Sequence, residues 1–133
     1  MTLELDEQSR ADLVKYRMSR SRETLKEADL LARECFYNAA VNRLYYACYY
    51  ASVALLLHNK IPSQTHSGVK SMIGLHFVSK GLMPIKIGKV LSTLFEKRQS
   101  GDYDDFVLCD KEMIDELTPK AILFIDFVES LLK

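Results

Sequence analysis

The chain has 133 residues, of which 48% are apolar, with five glycines, three prolines and a net charge of zero from 18 basic and 18 acidic side chains. This apolar content, in a chain about the size of one domain, excludes a disordered tail, and scarce glycine and proline favour helix over sheet. No apolar run reaches the roughly 18 residues that a membrane span needs, and the acidic, polar start MTLELDEQSR lacks the pattern of a secretory signal.

These features lead us to expect a cytoplasmic protein with no membrane contact and one domain over residues 1–133. Cys35, Cys48 and Cys109 are odd in number and widely spaced, which suits reduced thiols better than a disulfide or metal framework. The charge is unevenly spread. Residues 60–98 carry seven lysines and arginines against one glutamate, and residues 101–133 carry nine acids against three lysines. Two packed segments of opposite sign would neutralise each other. A basic face could also meet nucleotide phosphates or nucleic acid.

The spacing predicts five helices and no strand. The first runs from Ser9 to Cys35, with Leu13, Tyr16, Leu25, Ala28, Leu31 and Ala32 as its apolar stripe. The second runs from Tyr37 to His58. It is apolar on nearly every side, which belongs at the centre of a bundle or at a subunit interface. Pro62 breaks it, and Thr65, or Ser63 before it, caps a third helix from His66 to Ser79 that ends at Gly81. The fourth runs from Ile85 to Gln99, and the stretch SGDYDDFVLCD follows as a loop in which Gly101 turns the chain. The fifth runs from Lys111 to Leu132, with Pro119 marking a kink or a later start. Together these form an all-α, up-and-down bundle of four to five helices.

Several residues stand out. Tyr45, Tyr46, Tyr49 and Tyr50 lie within six positions, with Tyr45 and Tyr49 on one face and Tyr46 and Tyr50 on the next. They read first as packing residues with hydroxyls reaching partners or solvent, and second as the lining of a cleft. Arg43 interrupts the apolar helix and calls for an anionic partner, either Asp102, Asp104 or Asp105, or a bound anion. His58, His66 and His76 have no metal-ligand spacing, so no metal and no cofactor is expected.

The order NAAVNRLYYACYYASVALLL resembles the second helix of the HEPN domains, in their short stand-alone prokaryotic branch. Arg43, Tyr45-Tyr46-Ala47, Tyr49-Tyr50-Ala51 and Ala54-Leu55-Leu56 carry the likeness, and Thr65-His66-Ser67-Gly68-Val69, then Arg98, Asp102 and Tyr103, continue it in order. The resemblance implies a homodimeric helical bundle and a role in toxin–antitoxin or defence loci. A small nucleotidyltransferase partner and binding of RNA or a nucleotide are implied with it. It also implies metal-independent RNase chemistry by an arginine followed, four to six residues on, by a histidine: the arginine stabilises the charged phosphorane-like state and the histidine moves the 2′-hydroxyl proton.

This chain departs from that motif. No histidine follows Arg98, and Tyr103 stands nearest to the expected base. A phenol with a pKa of about 10 is a poor base at neutral pH. The candidate residues are therefore Arg98 with Tyr103 for catalysis, and Arg43, Tyr46, His66 and Arg98 for nucleotide or RNA binding. In the resting state Arg98 is expected to pair with Asp102, Asp104 or Asp105. The alternatives are an RNase with a non-standard base, Tyr103 or His66, and a non-catalytic protein-interaction adaptor.

Overall fold

The computed structural model describes residues 5–103 and 108–133, and of Tyr103 the backbone alone. Among them stand five α-helices: α1 (Glu7–Arg33), α2 (Tyr37–His58), α3 (His66–Ile73), α4 (Ile85–Tyr103) and α5 (Lys111–Leu131), with a π-helical turn, Gly74–Val78, continuing α3. No strand occurs among the described residues.

Cross-helix bonds give the topology. Ser21 Oγ donates to the Ala47 carbonyl and Arg10 Nη1 to the Leu57 carbonyl, so α1 and α2 are antiparallel. Asn38 Nδ2 donates to the Gly101 carbonyl while the Tyr45 and Phe95 rings meet edge to face, so α4 also opposes α2. Cys109 N–H bonds Asn38 Oδ1 and Cys48 Sγ reaches the Ala121 carbonyl, so α5 runs alongside α2. The four long helices therefore alternate in direction, which is the expected up-and-down bundle. Helix α2 touches α1, α3, α4 and α5, whereas α1 and α4 do not touch each other.

That central place follows from composition. Ala40, Val41, Leu44, Tyr45, Ala47, Cys48, Ala51, Ala54, Leu55 and Leu56 are all buried, and they cover more than half the circumference of α2. Each large aliphatic chain so buried contributes about 1.5–3 kcal/mol. The small alanines let neighbouring helices approach.

The buried stripe of α1 agrees with the expected one only in part: Ala28 is common to both, and Leu25, Leu31 and Ala32 pack half-buried against the core. Val14, Met18, Ser21, Thr24 and Ala28 face inward, Leu13 and Leu25 are half-buried, and Tyr16 is 57% exposed. The seam against α2 selects small residues that permit close approach, and Ser21 satisfies its hydroxyl on a helix carbonyl there.

The helix ends are well specified. Asp6 caps α1 through Ser9 N–H, Thr65 caps α3 through Gly68 N–H, and Asp110 caps α5 through Met113 N–H. Thr65, not Ser63, is thus the cap of α3. Helices α1 and α2 end in Schellman motifs. The Phe36 N–H bonds the Leu31 carbonyl and the Ile61 N–H bonds the Leu56 carbonyl, with Cys35 and Lys60 left-handed at φ 65 and 60. Gly81 plays the same part after the π-turn, at φ 74.

Two expectations for the middle of the chain are corrected. The third helix is not regular to Ser79: the Ser79 N–H reaches back five residues to the Gly74 carbonyl, which widens the turn. Helix α4 does not stop at Gln99 but continues through Gly101 to Tyr103, and Gly101 lacks a positive φ. Its missing side chain has a packing role instead: a Cβ there would sit 3.3 Å from Cys109 Sγ and 3.7 Å from Asn38. Helix α5 runs through Pro119, which is exposed, as is Asp115, whose carbonyl loses its helical partner to that ring.

Candidate functional site

Three elements bring the site together. Helix α2 presents Asn42, Arg43, Tyr45, Tyr46 and Tyr49 within two turns. The Thr65 cap starts α3 at His66, and Gly68 is needed beside it, because a Cβ at Gly68 would lie 2.8 Å from Thr65 Oγ1. The last turns of α4 supply Arg98 and Asp102.

Tyr45 is the pivot. Its side chain is 1% exposed, and its hydroxyl lies 2.7 Å from His66 Nδ1. Burial drives the Tyr45 phenol well above its ordinary pKa, despite the opposing pull of the Arg98 charge. Burial, and then the same arginine, pushes the His66 imidazole below its ordinary value. Both groups are therefore neutral near pH 7. In that state we assign the phenol as donor to Nδ1, which puts the imidazole proton on Nε2. The His66 ring stacks on Tyr49 at 4.4 Å between centroids and meets Tyr46 edge-on at 5.7 Å.

The arginines lie over the same rings. The Arg98 guanidinium is 5.4 Å from the Tyr45 centroid and 5.5 Å from that of Tyr46, and the Arg43 guanidinium is 4.9 Å from the Tyr46 ring. Arg98, whose side chain is 12% exposed, pairs with Asp102 through Nε at 3.3 Å. Asn42 Nδ2 donates to the same carboxylate oxygen at 2.9 Å, and Asn42 Oδ1 accepts from Arg43 Nε and Nη2 at 3.1 and 2.8 Å. Glu27 of α1 closes the chain, 3.7 Å from Arg43 Nη1.

Among the described residues Glu27, rather than Asp102, forms the ion pair with Arg43, while Asp102 is engaged by Arg98 and Asn42. The Arg98–Asp102 pair stands as expected from the sequence. Asp104 and Asp105 lie outside the described residues, as does the side chain of Tyr103.

The aromatic face extends outward. Tyr50 packs 6.0 Å from Tyr46 beneath the Arg20 guanidinium, and Lys70 lies over Phe95, which meets Tyr45 edge to face. The structure therefore gathers Arg43, Tyr46, His66 and Arg98, the residues expected to bind. His58 and His76 form no part of the cluster. Sequence reasoning did not single out Tyr45 from its three neighbours, nor Asn42 and Glu27 as the residues that hold Arg43. The one available signal for Tyr45 was its position one residue after the buried Leu44, on the side of α2 that faces α4.

A further groove among the described residues lies elsewhere. It measures about 660 Å3 between α1 and α5 and is lined by Asp29, Arg33, Tyr37, Pro119 and Leu123 among others, sharing no residue with the cluster. Among the described residues no group of three His, Cys, Asp or Glu side chains could hold a metal ion, and no helix is long and apolar enough to cross a membrane. Chemically, the cluster offers two guanidiniums and an imidazole N–H for an oxyanion, with tyrosine faces beside them for a planar group.

Comparison with known proteins agrees with this architecture. A UPF0332 protein of Thermotoga maritima is 36% identical over 121 residues, which is 91% of this chain and 92% of the relative. The protein named "Putative toxin MJ0605" of Methanocaldococcus jannaschii is 31% identical over 111 residues, covering 84% of this chain and 82% of that protein. The same organism's "Putative toxin MJ0142" is 28% identical over 109 residues, 82% of this chain and 74% of that protein. The family model described as the HEPN domain matches residues 14–131, nearly the whole helical bundle, and the chain belongs to that family.

Proposed function

We propose that the chain is a toxin-like HEPN protein, one component of a toxin–antitoxin or defence pair, and that its cluster of Arg43, Tyr46, His66 and Arg98 binds an RNA strand. The names carried by the two archaeal relatives support the first part. One observation carries the second: two guanidiniums and a neutral imidazole share the faces of adjoining tyrosines. Such a site offers charge to a phosphate and a flat surface to a base. The acid-rich residues after Gly101 would repel a strand laid across them, so the strand runs along α2 towards Tyr49, Tyr50 and Arg20.

Fluorescence anisotropy of a fluorescein-labelled single-stranded RNA tests this reading. Binding by the wild type, reduced about tenfold or more in Arg98→Ala, is the expected result. Equal binding by both proteins refutes the site.

A second reading is metal-independent RNA cleavage, with Arg98 on the phosphate and His66 in the part of the missing motif histidine. The observation in its favour is that His66 and Arg98 both pack on Tyr45. Mixed RNAs incubated in chelator decide it: cleavage must exceed that of Arg98→Ala and His66→Ala, and cleavage at their level rejects it. A homodimer, a small nucleotidyltransferase partner, action in the cytoplasm and a single domain over residues 1–133 complete the proposal. Light scattering and co-purification with a co-expressed nucleotidyltransferase test the first two. Binding to that partner with no RNA affinity favours the adaptor role instead.

A further inference from the structure

We infer that Asp102 occupies the place of the ligand phosphate and acts as a built-in competitor for the arginine site, an inference that rests on reading the cluster as an RNA site. Three observations converge on it. Asp102 takes one guanidinium directly, through Arg98 Nε, and engages the other through Asn42, whose amide N–H bonds its carboxylate while the amide oxygen accepts twice from Arg43. One carboxylate thus sits at the junction of the two cations that flank Tyr46.

The second observation concerns the helix. Asp102 is the penultimate residue of α4, where the exposed carbonyls already concentrate negative charge. An acid there opposes the helix dipole, and what favours it within the helix is its pair with Arg98, four residues back. Its favourable interactions are with Arg98 and Asn42.

The third concerns hydration. The Arg98 side chain is 12% exposed and that of Asp102 25%. A guanidinium so poorly hydrated needs an anionic partner in every state. A phosphate that replaces the carboxylate inherits an arginine already stripped of water, and the outgoing carboxylate regains its hydration. Binding is then an exchange of one anion for another, with no new desolvation of Arg98.

The test measures the affinity of a fluorescein-labelled single-stranded RNA for wild type, Asp102→Asn, Asp102→Ser and the double variant Asp102→Asn/Arg98→Ala, with circular dichroism checking that each is folded. Asparagine keeps an acceptor for Asn42 and removes the charge. The serine variant serves if the asparagine variant fails to fold. Tightening of Kd by about three- to tenfold in the neutral variants, lost again in the double variant, is the expected result. RNA binding that appears only in the neutral variants also supports the inference. Unchanged or weaker binding in Asp102→Asn and Asp102→Ser, with Arg98→Ala still defective, overturns the competitor while the RNA site stands. No binding by any of these proteins overturns both.

Discussion

Removing the Tyr45 hydroxyl is the sharpest test of the geometry at the site. Tyr45→Phe keeps the ring, its contacts with Phe95 and Tyr49, and nearly all of its buried area. What is lost is the 2.7 Å bond to His66 Nδ1. A net hydrogen bond of this kind contributes about 1 kcal/mol, and leaving Nδ1 without a donor in a partly closed site raises the cost to about 1–2 kcal/mol. With an unfolding entropy of about 2.1 cal/mol/K per residue, each kcal/mol moves the midpoint of a chain this long by about 4 °C, so Tm should fall by about 4–7 °C. The second readout is the imidazole itself. Long-range 1H–15N spectra of the wild type at pH 7.5 should show His66 with its proton on Nε2, and the Phe variant should show a mixture of tautomers. A wild-type proton on Nδ1, or an unchanged Tm and an unchanged tautomer ratio in the variant, would refute the assignment of Tyr45 as donor.

Acid should weaken the fold through His66. Its folded pKa lies below the ordinary value, so between the two the unfolded chain binds the extra proton; the stabilisation is complete above about pH 6.5 and is lost as the pH falls towards the folded pKa. Urea melts at pH 7.5 and 5.5 should therefore show a larger loss for wild type than for His66→Gln. Gly88→Ala should destabilise by about 1–3 kcal/mol, because the added Cβ would meet Val78 Cγ2 at 2.6 Å and that branched side chain has little room to turn; thermal melts check this. Lys60→Gly should stabilise by about 0.5–1 kcal/mol by relieving a left-handed non-glycine residue, since the exposed ion pair to Glu7 that it removes adds little, and a Tm below wild type would count against that balance.

Much of the fold was legible because it rests on local signals. Helix α2 begins and ends where the sequence places it, since a segment apolar on all sides is flanked by residues that cannot continue it, and the Thr65 cap and the Gly81 turn were equally readable. The stripe of α1 was legible only in part. Periodicity finds Ala28 but also favours large apolar residues such as Leu13 and Tyr16, whereas the close seam with α2 takes in Ser21 and Thr24. The end of α4 was missed for a related reason. Gly101 reads as a stop when seen alone, and only its neighbours in space, Cys109 and Asn38, make its missing side chain a packing requirement.

The π-turn that continues α3 was not read from the sequence at all. At the site, the residue types were visible and their grouping was not. His66 and Arg98 are 32 positions apart, and the ring that links them, Tyr45, stands in a run of four tyrosines that differ only in the direction they face.

Helix α2 supplies the centre of the bundle on most of its circumference and the aromatic floor of the site on the rest. The site therefore has no scaffold of its own. Its floor cannot be loosened without loosening the hydrophobic centre of the molecule. On the proposed reading, adaptation to a different ligand comes from the walls, from the first turn of α3 and the last turn of α4, where a side chain can change without moving the helix on which the whole bundle is built. An engineer who wished to transplant this site would have to transplant the bundle.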